Sequence, residues 1–192
     1  VEAAPGDNLV AYYKFDGDFK DSVDSSIEGT PANTNVPTTA TDDVRDGVMK
    51  SGSGKGRIRT ENPLYQTDLS SSGFTVSAWI DANAVDSYNG VWSFSSGDSD
   101  LDGFYGLSTN GSLYFNNSPR QGTTTYQDMK EFAGNITADG GWEHITVVMD
   151  TQKIHMYKDG ALVYELTPST LGNSSGQGTP FMLDFVETTK YI

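Results

Sequence analysis

Apolar and polar residues alternate with a period of two through three long stretches of this chain. Gly73-Phe-Thr-Val-Ser-Ala-Trp-Ile-Asp81 is one, Gly141-Trp-Glu-His-Ile-Thr-Val-Val-Met-Asp150 the second, and Ile154-His-Met-Tyr-Lys-Asp-Gly-Ala-Leu-Val163 the third. Alternation of this kind describes an extended strand with one face buried and the other open. Asp159-Gly160 interrupts the third stretch and predicts a two-residue hairpin, because such turns need positive φ at their central positions. Trp79 and Trp142 lie inside these runs and are expected to pack in the core.

Shorter strand-like runs fill much of the remainder. Residues 9–15 are expected to open the fold, and Gly17 with Asp18 ends that run. A connection rich in Ser, Thr, Pro and Asn spans residues 22–43 without clear periodicity. Short strands are predicted at 47–50 and 56–60, then at 90–96, 104–108 and 113–116, the last two joined through Asn110-Gly111. Residues 142–150 pair with 153–159, followed by strands at 161–166 and 181–185. No window shows helical periodicity and no repeat recurs at a fixed spacing. Many short strands without helices point to a two-sheet antiparallel β-sandwich.

With 192 residues the chain suits one all-β domain, here 9–192, preceded by a linker or processed start at 1–8. Cysteine is absent, which removes thiolate metal sites, redox couples and cysteine nucleophiles. A net charge of −14 repels phosphate backbones and anionic lipid surfaces, so nucleic acid is not an expected partner. No apolar run reaches the ~18 residues of a membrane span, so membrane insertion is not expected.

The order of these phrases resembles the laminin-G / concanavalin A-like jelly roll found in bacterial secreted glycoside hydrolases. Tyr13-Lys-Phe-Asp-Gly17, then Lys20-Asp-Ser22, Phe74-Thr-Val-Ser-Ala-Trp79, Gly141-Trp-Glu-His-Ile145 and Tyr157-Lys-Asp-Gly160 follow the family's sequence of motifs. The family closes with a strand carrying an acidic pair before an aromatic. This chain ends at Tyr191-Ile192 without one, so that strand lies beyond the chain or another segment takes its place. The resemblance implies a secreted or cell-surface module beside other domains of the same polypeptide.

Two acidic loops are candidate calcium sites, since calcium takes hard oxygen ligands from flexible loops. Asp98-Ser-Asp-Leu-Asp-Gly103 places Asp98, Asp100 and Asp102 at the alternate positions that open an EF-hand loop. Its twelfth position is Thr109 rather than Glu, which argues for a short inter-strand loop instead. Asp16, Asp18 and Asp21 form the second cluster, and domains similar to this one often hold a structural calcium there; Asp16 and Asp21 are the expected ligands.

Catalysis is a weaker expectation. The sandwich hydrolases that this chain resembles use Glu-x-Asp-x-x-Glu, whose carboxylates act as nucleophile and acid/base. Met182-Leu-Asp-Phe-Val-Glu187 is the nearest match, and methionine at the nucleophile's place can neither attack an anomeric carbon nor hold the charge. His144 and His155 are the only histidines, and no Gly-x-Ser-x-Gly elbow accompanies them.

Sugar recognition needs flat rings for C–H faces and polar side chains for hydroxyls. Tyr88, Asn89, Trp92, Tyr105, Tyr114, Asn116, Asn117, Arg120 and Tyr126 cluster along one half of the chain and are the expected ligand surface. The expected function is a non-catalytic carbohydrate-binding module for an oligo- or polysaccharide. A structural or adhesive sandwich contacting another protein is the alternative, and a sandwich-fold glycoside hydrolase the third.

Overall fold

The stretch 142–149 becomes an interior strand of a four-stranded sheet that carries most of the core seen among the described residues. The computed structural model describes residues 9–32, 34–50, 56–61, 73–81, 89–94, 102–109, 113–121, 129–132, 141–150 and 153–166. Twelve strands and no helix occur among them, and every strand pairing is antiparallel. No helix among the described residues is long and apolar enough to cross a membrane. The chain divides into two compact units, Val1–Tyr65 with Tyr191–Ile192, and Gln66–Lys190.

In the first unit β1 (Thr30–Pro31) pairs with β4 (Ile58–Arg59), and β2 (Thr38–Asp42) forms a hairpin with β3 (Asp46–Lys50). Asp42 builds the turn of that hairpin, its Oδ1 accepting the N–H groups of Val44 and Arg45 at 2.8 and 3.2 Å. The expected opening strand at 9–15 is reduced to an isolated bridge between Tyr13 and Asp21. Phe15 takes φ 60° and Gly17 φ 125°, and two left-handed residues so close together turn the chain before a ladder can form. Conversely, the aperiodic stretch 22–43 contains β1 and β2; Thr supplies β propensity there, while exposure on several positions hides the alternation.

In the second unit β5 (Phe74–Asp81), β10 (Trp142–Met149), β11 (Ile154–Lys158) and β12 (Ala161–Leu166) form one sheet in the order β12-β11-β10-β5. Along β10 burial alternates at every residue. Ile145, Val147, Met149, Ile154 and Met156 are between 0 and 1 % exposed, so this face carries the core. Fully burying each such side chain contributes roughly 1.5–3 kcal/mol. The predicted hairpin at Asp159-Gly160 is present, with φ 49° and 80° at its two central residues. The same unit holds a second sheet, in the order β6 (Asn89–Phe94), β7 (Asp102–Thr109), β8 (Leu113–Gln121) and β9 (Met129–Phe132). β9 has no counterpart among the predicted strands. The Asn110-Gly111 turn and the run 181–185 lie outside the described residues.

Candidate functional site

The expectation that Trp79 and Trp142 pack in the core is overturned: Trp79 is 45 % exposed and Trp142 is half-buried on the same face of the sheet. Parity within β5 explains this. Phe74, Val76, Ala78 and Ile80 share the face that pairs with Met149, Val147, Ile145 and Glu143, whereas Trp79 shares the opposite face with Thr75, Ser77 and Asp81. Cross-strand partners lie on the same side of a sheet, so the register maps that open face directly. One row runs Thr75–Val148–His155–Glu165 and the next Ser77–Thr146–Tyr157–Leu162. Trp79 then stands opposite His144, and Asp81 opposite Trp142, at the end of the sheet.

Geometry tightens toward that end. The Trp79 and His144 rings are 4.7 Å apart between centroids and tilted by 42°. The His144 N–H donates to Asp159 Oδ1 at 2.9 Å, and the Asp159 N–H donates to the His144 carbonyl at 2.8 Å. The β11–β12 turn thus fixes the strand position from which His144 projects. Asp81 Oδ1 is buried without a hydrogen-bond partner among the described residues. An unpaired buried polar atom costs about 1–3 kcal/mol until a donor meets it.

At the other end of the face, Glu165 accepts from Lys153 Nζ at 3.0 Å and contacts His155 Nε2 at 2.9 Å. Those contacts, with Lys153 first, hold the Glu165 carboxyl below the ordinary glutamate value. On the inner side the largely buried Glu143 is paired with Lys158.

The nine residues expected to bind ligand are distributed as follows. Asn89 and Trp92 lie on β6, Tyr105 on β7, and Tyr114, Asn116, Asn117 and Arg120 on β8, all in the second sheet. Tyr88 and Tyr126 lie outside the described residues. Tyr105 is opposite Asn117, which brings those two together. Tyr114 is opposite Ser108 and Asn116 opposite Gly106 in the same ladder. The sheet gathers seven of them on three adjacent strands.

Of the expected calcium ligands, Asp98 and Asp100 lie outside the described residues, and Asp102 opens β7 opposite Gln121. Asp16 is exposed beside the left-handed turn. Asp21 is only 1 % exposed, and its Oδ1 accepts the N–H groups of Tyr12 and Val23, both at 2.8 Å. Its Oδ2 is buried and lacks a hydrogen-bond partner among the described residues. A buried anionic oxygen of this kind suits a hard cation. No group of three or more His, Cys, Asp or Glu that could hold a metal occurs among the described residues. Nearby, the Tyr13 hydroxyl is 2.8 Å from Thr60 Oγ1, and burial pushes its pKa up.

The model of a protein family described as the concanavalin A-like lectin/glucanases superfamily matches residues 51–183. No curated protein matches the chain. Among solved structures it is similar to domain 4 of AbnA, a GH43 extracellular arabinanase from Geobacillus stearothermophilus, in complex with arabinotriose. That likeness has a TM-score of 0.58 at 18 % identity and covers 95 % of this chain and 81 % of the other; at this identity it speaks for the fold.

Proposed function

Since the chain belongs to the concanavalin A-like lectin/glucanases superfamily, with its two-sheet antiparallel jelly roll, we propose that it is a non-catalytic carbohydrate-binding module. The observation that carries this reading is an indole, Trp79, 45 % exposed on the open face of a sheet. Leaving that much aromatic surface in water costs the isolated molecule, and a sugar ring's C–H face is a fitting cover for it. Arabinotriose bound to the similar arabinanase domain supports a glycan as the ligand class.

The module acts within a secreted or surface-attached bacterial glycan-degrading protein, beside other domains of that polypeptide. Weak binding per module is multiplied by attachment to the parent. The residues on β6, β7 and β8, with Tyr88 and Tyr126, supply further contacts. One structural calcium accompanies the fold, held by Asp21 with Asp16 and backbone carbonyls, or by Asp98, Asp100 and Asp102. Hydrolysis is left to a neighbouring domain, because Met182 occupies the nucleophile's place in Met182-Leu-Asp-Phe-Val-Glu187.

A glycan array that includes arabino-oligosaccharides, probed with the chain in millimolar calcium, tests the proposal. Saturable binding to at least one glycan without release of reducing ends is the expected outcome. Absence of binding across the array, or hydrolysis lost on Glu187→Gln, contradicts it.

A further inference from the structure

We propose that Trp79, Asp81, Trp142 and His144 form a subsite for one neutral sugar ring, stacked on the Trp79 indole with its hydroxyls bonded to the Asp81 carboxylate. This rests on the glycan-binding reading above and gives it a place and a ligand class. The sheet register sets Trp79 opposite His144 and Asp81 opposite Trp142, so four side chains of complementary chemistry share one end of one face.

Each has a distinct part. The indole is the exposed ring of the set, and the imidazole 4.7 Å away braces it at a 42° tilt. His144 is held through its backbone by two hydrogen bonds with Asp159 at the hairpin turn. A platform on paired strands loses little freedom when a ligand arrives, which is where a shallow site gains affinity. Trp142, half-buried beside Asp81, closes the end of the patch.

The Asp81 carboxylate selects the ligand. Its Oδ1 is buried with no donor among the described residues, and an ionised carboxylate only accepts hydrogen bonds. Asp81 as a whole is only half-buried, and vicinal sugar hydroxyls are donors that meet the accessible part of its carboxylate from the open face while the ring lies on the indole. The other charged groups of this sheet are occupied elsewhere: Lys158 pairs with Glu143 on the inner face, and Lys153 with Glu165 at the far end. With a carboxylate in the subsite and a net charge of −14 around it, uronate and sulfate groups are repelled.

The test is affinity electrophoresis of the chain through xylan, galactan, β-glucan, polygalacturonate and chondroitin sulfate, with thermal melts confirming the fold of each variant. The expected pattern is retention by at least one neutral polysaccharide and by neither acidic one. Trp79→Ala weakens that retention about tenfold or more, the loss of one stacked ring. Trp79→Phe keeps part of it, Asp81→Asn reduces it several-fold, and Thr75→Ala at the far end of β5 leaves it unchanged. Retention unaffected by Trp79→Ala and Asp81→Asn overturns the subsite while the glycan reading stands. Stronger retention by polygalacturonate or chondroitin sulfate overturns the ligand class. Retention by none of the five overturns the subsite, whereas binding of some other glycan on the array separately decides the module reading.

Discussion

The indole of Trp79 and the imidazole of His144 face outward from adjacent antiparallel strands, with ring centroids 4.7 Å apart, while their strand neighbours Ala78 and Ile145 pair on the inner side. A single strand pair therefore divides two roles between its faces. Ile145 is 1 % exposed and Trp79 45 %.

Stability should follow that division. Met156→Ala, at a residue with 0 % exposure, is expected to cost about 2–5 kcal/mol, the usual range for truncating a fully buried methionine. Trp79→Ala is expected to cost less than about 1.5 kcal/mol, since the ring is nearly half-exposed. Chemical denaturation of both variants checks the ranking; equal losses would mean that the indole is structural.

Much of this sheet was legible in the sequence, because β5, β10 and β11 each expose one face and bury the other, leaving a period-two signature. Asp159-Gly160 announced its own turn because only a few residue types tolerate two successive positive φ values. Trp79 lies inside an apolar run, but its parity with Thr75, Ser77 and Asp81 sets it on the open face, a signal present in the residues themselves. The short, charged Met129-Lys-Glu-Phe132 shows no alternation long enough to read. Neither the donorless oxygen of Asp81 nor that of Asp21 has any sequence signature, because each depends on what the folded chain brings near it.

Gly47 is expected to resist substitution for a steric reason. A Cβ there would meet the backbone of Asp16, which cannot move aside as a side chain can. Gly47→Ala should destabilise by about 1–3 kcal/mol, in the range of overpacking. An unchanged melting temperature would show that the two segments separate readily.

Asp21 separates a structural role from a metal role. Asp21→Ala removes the acceptor for the Tyr12 and Val23 N–H groups and should lower stability by about 1.5–3 kcal/mol even in EDTA. Asp21→Asn keeps a side-chain oxygen for those donors but weakens a cation's anchor. Millimolar calcium is expected to raise the melting temperature of the native chain by mass action, and to do so much less for Asp21→Asn. Identical melts with EDTA and calcium would leave Asp21 as a purely structural carboxylate.

Glu165 gives a signed pH dependence. Lys153, and then His155, hold its carboxyl below the ordinary glutamate value in the folded state. A depressed folded value contributes stability above the unfolded value and loses it as pH falls through the folded one. The effect is small because the pair is exposed to solvent. In a carbon-detected NMR titration the Glu165 midpoint should lie on the acid side of ordinary glutamate and move up in Lys153→Ala. A midpoint unmoved by that substitution would remove Lys153 as the cause.

Most directly, the central claim is tested by the three indole N–H resonances, of Trp79, Trp92 and Trp142, followed by NMR while a neutral glycan bound on the array is titrated in. The Trp79 resonance, assigned by its loss in Trp79→Phe, is expected to shift saturably and most strongly, with Trp142 moving less. A saturable shift confined to Trp92, with Trp79 unmoved, would contradict the account by placing the ligand on the other sheet.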